Sequence, residues 1–208
     1  MQGLLITFEG GEGVGKTTQI SFLAKRLKEL GLSVQTTREP GAGLLGQKLR
    51  AFLLHEPIDA KTELLLYLAD RAQHISDELR PWLLTKQIVL CDRFIDSCEI
   101  YQGYARGLEV EFVRKLHHWL LPDLWPDLTL LLDMPVINSL QRVTDRTALA
   151  DRWESENLSF HEKLRTGFLE QARREPTRIR IINASNSLDK TASDIWRQVE
   201  PLVRKWQG

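Results

Sequence analysis

Hydrophobic positions along the chain fall into two kinds of segment that take turns. Residues 4–8 (Leu-Leu-Ile-Thr-Phe) form a short apolar run, and residues 87–91 and 127–132 are nearly all apolar, as strands buried on both faces should be. Residues 32–37 and 178–182 add two further predicted strands. Between these runs the spacing becomes helical. Residues 18–30 place Ile20, Leu23, Ala24, Leu27 and Leu30 on one side, and Gly31 stands where a C′ glycine ends a helix. Residues 44–54 have the same period, as do residues 61–84, with Leu65, Leu68, Ala72 and Ile75 on one face and Pro81 expected to break or kink the end. Residues 95–121 read as mostly helical with interruptions near Gly103 and Gly107. Further helices are predicted over 136–147, from about 154 to 174, and over 188–206, where Pro201 is expected to kink the last. Strand and helix alternate, which predicts an α/β fold: one five-stranded parallel sheet with helices on both faces, a single three-layer α/β/α domain over residues 1–208. Ligands of such sheets sit at the carboxyl ends of the strands. Arg38, Glu39, Asp92, Arg93 and Asp133 all fall at or just past such ends.

Composition narrows the setting rather than the chemistry. The 28 basic and 28 acidic side chains cancel, so no broad positive field for nucleic acid is expected. The two cysteines, Cys91 and Cys98, make neither a disulfide framework nor a Cys-x-x-Cys site, which suits a reduced compartment. No apolar run approaches ~20 residues, and the first residues lead straight into a strand. Neither a membrane span nor a signal peptide is expected, and the expected location is cytoplasmic.

Chemistry enters with Gly10-Gly11-Glu12-Gly13-Val14-Gly15-Lys16-Thr17. The run fits G-x-x-x-x-G-K-[ST], the phosphate-binding loop, in its required context of strand before and helix after. Glycines let successive backbone N–H groups turn inward as a concave anion site. A helix starting at about Lys16 adds its positive end. Lys16 is expected to reach the β- and γ-phosphates as a point charge, and the Thr17 hydroxyl to ligate Mg²⁺. A nucleoside triphosphate is therefore the expected ligand, and a P-loop NTPase the expected fold.

Such a loop serves switches, motors and small-molecule kinases alike. Phosphoryl transfer needs donor and acceptor aligned and positive charge on the migrating group, so a kinase should supply arginines at both ends. Asp92 can hold Mg²⁺ directly or through water and Arg93 can fork onto a phosphate, although a local surface ion pair is the alternative. Arg38 is placed to bind an acceptor phosphate, while Glu39 is equally placed to orient an arginine or to touch substrate. Tyr67 and Arg71, four apart on one helix, make a base platform beside a guanidinium, or simply core and surface. Arg142, Arg146 and Arg152, interleaved with Asp145 and Asp151, read either as a mobile lid or as a solvated face. His117-His118 reads as helix surface or interface without metal-ligand spacing, and Trp119 and Trp125 as packing.

Together these clusters resemble the thymidylate kinase family over essentially the whole chain. The matching pieces are residues 8–18, Thr37-Arg38-Glu39-Pro40-Gly41, Asp92-Arg93-Phe94, Ser97 with Tyr101-Gln102-Gly103, Pro126-Asp127-Leu128-Thr129, and Asp151-Arg152. The resemblance implies transfer of the γ-phosphoryl of ATP to the 5′-phosphate of dTMP, giving dTDP for dTTP synthesis, with Mg²⁺ and usually in a homodimer. By position it implies ATP on Gly10, Gly11, Glu12, Gly13, Val14, Gly15, Lys16, Thr17 and Thr18, with the metal near Thr17 and Asp92. It implies dTMP on Glu12 (sugar 3′-hydroxyl), Arg38 and Arg93 (phosphate), Tyr67 (stacked on thymine), Arg71 (base carbonyl) and Tyr101 (against a 2′-hydroxyl). Ser97 and Gln102 would line the same pocket. Some members carry a catalytic arginine inside the loop, after the acidic residue; Gly13 stands there, so the chain is similar to the bacterial-type group, whose arginine comes from a short lid, here at about 142–152. Arg146 is the first candidate beside Lys16 and Arg93, and Arg142 the second, also placed to stack on adenine. Glu99 and Ile100, and Asn183-Ala184-Ser185, depart from the family pattern. A deoxynucleoside kinase would instead need a base beside an uncharged 5′-hydroxyl. A guanine-reading switch would need an Asn-Lys-x-Asp element, which this sequence lacks.

Overall fold

The computed structural model describes residues 2–146 and 151–208, Arg146 by its backbone alone. Residues 147–150, inside the stretch assigned to the lid, lie outside the described residues, as does the Arg146 side chain. Five strands, β1 (Leu4–Glu9), β2 (Val34–Arg38), β3 (Ile88–Asp92), β4 (Leu128–Asp133) and β5 (Ile179–Asn183), form one parallel sheet in the order β2-β3-β1-β4-β5. The helices are α1 (Lys16–Glu29), α2 (Gly43–His55), α3 (Ala60–His74), α4 (Arg80–Leu84), α5 (Ile95–Cys98), α6 (Val110–Leu120), α7 (Val136–Arg146), α8 (Leu158–Arg174) and α9 (Leu188–Gln207).

Alternate side chains of the central strands go to opposite faces, so a run that is apolar throughout fills two cores at once. Leu4, Ile6 and Phe8 join Ile88, Leu90 and Leu130 against α1 and α9. Leu5, Val89 and Cys91 point the other way, onto Ile75, Leu79 and Leu83. Each such side chain is worth ~1.5–3 kcal/mol when fully buried, which is why β1, flanked by β3 and β4, is a rigid base for whatever follows it.

Several boundaries differ from expectation for local reasons. The predicted helix 61–84 is one continuous rod in three parts: α3, a π-helical turn over Ile75–Leu79, and α4. Pro81 lies in the first turn of α4, so the widened turn accommodates its missing N–H without ending the rod. In the 95–121 segment the break comes at Gly107 (φ +83°) alone, whereas Gly103 stays within a π-helical stretch, Glu99–Ala105, and lets Val110 approach. Helix α8 starts later than predicted, at an Asn157 cap that accepts from the Phe160 N–H at 2.9 Å. Helix α9 runs on through Pro201. Gly31 does close α1, with φ +77° and its N–H on the Lys28 carbonyl, while Leu32 N–H returns to Leu27.

Candidate active site

The site begins where β1 ends. Its loop turns at Gly10 (φ +132°) and Gly13 (φ +71°), and a Cβ at either would strike backbone: 2.4 Å from the Leu132 carbonyl oxygen at Gly10, 2.1 Å from that of Ser139 on α7 at Gly13. Lys16, the first residue of α1, is buried and donates to the Gly10 and Gly11 carbonyls at 3.1 and 2.8 Å, so its ammonium lies across the mouth of the loop. The Thr17 hydroxyl donates to Asp92 Oδ2 at 2.8 Å, joining α1 to the end of β3.

Arg93 leaves β3 in the left-handed region, φ +66°, a conformation a non-glycine residue holds only where its surroundings enforce it. They do so here. Its N–H donates to the Phe8 carbonyl, and buried Glu9 accepts from Phe94 N–H at 2.7 Å and from the Ser97 hydroxyl at 2.6 Å. The guanidinium then reaches Gly10 O (3.0 Å), Ser97 Oγ (3.2 Å) and Glu12 Oε1 (2.6 Å), and lies over the Tyr101 ring. Burial alone would raise the Glu12 carboxyl; Arg93, Lys16 and the Tyr101 hydroxyl, which donates to it at 2.9 Å, overcome that and hold it at about 2.

Arg71 is organised as tightly, 1 % exposed, with Nε on Glu39 Oε2 at 2.7 Å and Nη1 on His117 Nε2 at 2.8 Å and on Cys98 Sγ at 3.4 Å. Arginine only donates, so His117 accepts through Nε2 and carries its proton on Nδ1. Burial, then the Arg71 charge, push His117 down to about 3. Glu39, which burial alone would raise, is held below its ordinary value by Arg71 and by His74, 2.8 Å away.

Two clefts result. One, about 500 Å³, is lined by Tyr67, Arg71, Phe94, Ser97, Tyr101 and Gln102, with Trp153 behind it, edge-on to Tyr101 at 5.0 Å. The other, about 1440 Å³, runs over the loop past Lys16, Thr17, Thr18, Arg38, Asp92 and Arg142. They meet at Glu12, Glu39, Arg50, Arg93 and Asp151, which line both.

Every sequence-predicted site residue with a described side chain therefore lines one or both of these clefts, apart from Gly10, Gly11 and Val14, which back the loop from behind. Several other expectations change. Asp133 is bound by Arg165 on α8, at 2.7 and 3.0 Å, behind the loop rather than at the clefts. Arg152 is turned toward α3, paired with Glu63 and with its N–H on the Leu54 carbonyl. His117 is buried instead of lying on the helix surface, because Arg71 needs an acceptor there. Trp119 is 78 % exposed rather than packed, whereas Trp125 packs on the cluster of Leu79, Leu83 and Leu124. Arg50 was missed: it donates to the Pro40 carbonyl at 2.8 Å and adds a third guanidinium near Arg38 and Arg93. Nothing in the spacing of residues 44–54 marks it; only the turn at Pro40-Gly41, folding back on α2, brings it in.

Comparison with known proteins agrees with this fold. A sequence model of the family described as thymidylate kinase matches residues 8–195. The thymidylate kinase of Syntrophotalea carbinolica is 47 % identical over 199 residues, 92 % of each chain, and that of Synechococcus sp. strain JA-2-3B'a(2-13) is 48 % identical over 201 residues, 96 % of each. The crystal structure of thymidylate kinase from Ehrlichia chaffeensis superposes with a TM-score of 0.79 at 31 % identity, covering 96 % of this chain and all of that one. A buried parallel sheet, a phosphate loop meeting two clefts, and likeness over almost the full length lead to one assignment: the chain belongs to the thymidylate kinase family.

Proposed function

We propose that this chain transfers the γ-phosphoryl group of ATP to the 5′-phosphate of dTMP, with ATP along the larger cleft and dTMP in the smaller. The observation that carries the reading is the meeting of the two clefts at Arg50 and Arg93, with Arg38 and Lys16 on the larger side. Two anionic groups brought end to end require positive charge at that junction, and a nucleoside with a neutral 5′-hydroxyl would not. Tyr67 stacks on the base, Arg71 donates to its carbonyl, Glu12 takes the 3′-hydroxyl and Tyr101 fills the space beside C2′. Ser97 and Gln102 complete the wall. Arg38, Arg50 and Arg93 hold the acceptor phosphate; Lys16 and the loop N–H groups hold the donor.

Thr17 and Asp92, one hydroxyl and one carboxylate in contact, fit Mg²⁺, which binds through few protein oxygens alongside nucleotide phosphates and waters. When bound, the ion supplies neutralisation of phosphate charge. A single domain with a lid at about 142–152 closes over the donor. Arg146 is its catalytic arginine and Arg142, exposed on the larger cleft, flanks adenine. Arg146→Ala should lower kcat at least about tenfold while moving the dTMP KM far less, because its charge meets the phosphoryl group mainly in the transition state. Equal turnover in variant and parent would remove Arg146 from that role. The chain works as a cytoplasmic homodimer, with exposed apolar side chains on α2, α3 and α6 as the support for the pairing.

A coupled assay with ATP and Mg²⁺ across the nucleoside monophosphates and thymidine tests the reading. dTMP should be the preferred acceptor and thymidine inert; faster phosphorylation of thymidine than of dTMP would replace the reading with that of a deoxynucleoside kinase.

A further inference from the structure

Glu63 sits on α3, 1 % exposed, in the wall behind the smaller cleft. Its two oxygens are divided between two partners. Oε1 accepts from Gln102 Nε2 at 2.7 Å, and Oε2 accepts from Arg152 Nη2 at 2.5 Å. A carboxylate accepts only, whereas an amide has one donating and one accepting end. The contact therefore fixes which end of Gln102 is turned away from the cleft. With Nε2 held on Glu63, Oε1 has no partner among the described residues, on a side chain that lines the cleft. Arg71 has the opposite polarity: Nε and Nη1 are spent on Glu39, His117 and Cys98, and Nη2 has no partner among the described residues. One wall thus carries an acceptor and a donor, each held by a second buried group.

We infer that Glu63 is a specificity-determining positioning residue, which locks the Gln102 amide with its carbonyl toward the base so that the cleft accepts a pyrimidine edge bearing a carbonyl and a ring N–H and rejects cytosine. This rests on the dTMP reading above. Thymine and uracil present an acceptor at C4 and a donor at N3; cytosine presents an amine at C4 and a bare nitrogen at N3. A free amide rotates to suit either edge, and against Glu63 it does not. Arg152 is part of the device, because it occupies the other oxygen and keeps the carboxylate from turning away.

The arrangement makes the effect of Glu63→Gln specific. Arg152 only donates, so it takes the carbonyl of the new amide and leaves its NH₂ facing Gln102. Gln102 must then turn its own carbonyl inward and its NH₂ to the cleft. The test is kcat/KM for dTMP and for dCMP, with ATP and Mg²⁺, in the parent, in Glu63→Gln and in Glu63→Gln/Arg152→Met. The dTMP-to-dCMP ratio should fall by about tenfold or more in Glu63→Gln, chiefly through the dTMP KM. It should recover in part in the double variant, where the new amide, no longer held by a donor at 152, can again offer its carbonyl to Gln102. Proportional losses for both substrates, as a merely structural defect would give, overturn the inference. So does an unchanged ratio. Should Glu63→Gln fail to fold, Gln102→Met, lacking both amide ends, must show the same loss of discrimination, and parental discrimination in that variant is equally fatal. A parent inactive on dTMP would sink the functional reading itself, whatever Glu63 does.

Discussion

Asp70 shows how a buried carboxyl adds its own pH dependence to the stability of the chain. It is 1 % exposed, its Oδ2 has no partner among the described residues, and its Oδ1 lies 3.4 Å from the Gly41 nitrogen. Burial first, then the Glu39 charge, push it up to about 7 from an ordinary value of 3.8. Between those values the folded chain keeps a proton that the unfolded chain has lost, so the native state binds more protons and stability falls as pH rises. Asp70→Asn should remove its share of that fall, while Glu9 and Glu99, which burial first and then the Asp96 charge also push up to about 7, keep theirs. The variant should match the parent near pH 4 and exceed it above pH 7 by an amount on the order of a few kcal/mol. Urea unfolding at pH 5 and pH 8 checks this, and an unchanged difference between parent and variant at the two values would count against the assignment. Glu12 behaves in the opposite sense, since a carboxyl held at about 2 contributes stability that is lost only as pH falls from the ordinary carboxylate range toward that value.

At the scale of elements, the loop and α7 are fitted to each other through Gly13. A methyl group there would lie 2.1 Å from the Ser139 carbonyl oxygen, at a φ that side chains avoid. Gly13→Ala should therefore weaken ATP binding and lower stability by ~2–3 kcal/mol, read as a higher ATP KM and a lower Tm. The same contact shows why an arginine inside the loop is closed to this chain. The alternation of elements was legible because parallel strands buried on both faces must be apolar throughout, as β1, β3 and β4 are. The phosphate loop was legible because Gly10, Gly13 and Gly15 hold a positive φ that residues with side chains rarely adopt. The π-helical turns were not legible, since a widened turn leaves no mark in hydrophobic spacing. Nor was the burial of His117, whose place is set by Arg71, 46 residues away along the chain. Arg50 and Glu63 escaped for a related reason: Arg50 reaches Pro40, ten residues back across a turn, and Glu63 reaches Gln102 and Arg152, 39 and 89 residues on, so neither shows in the spacing of its own helix.

Over the whole molecule, no helix among the described residues is long and apolar enough to cross a membrane. Apolar side chains still reach the surface on α2, α3 and α6, at Phe52, Leu65, Phe112 and Trp119. The homodimer proposed above would cover them. Sedimentation should give a dimer for the parent, with Trp119→Glu and Phe112→Glu shifting it toward monomer; a monomeric parent would leave that surface without its proposed partner.

Trp153, packed between the Tyr101 edge and the Phe160 face and lining the smaller cleft, gives the molecule a built-in optical reporter. A nucleobase settling beside it should alter indole emission, and titration of dTMP into the parent should trace a saturable fluorescence change that Trp153→Phe largely abolishes. Occupancy of the acceptor cleft could then be followed in real time, before any phosphoryl group has moved.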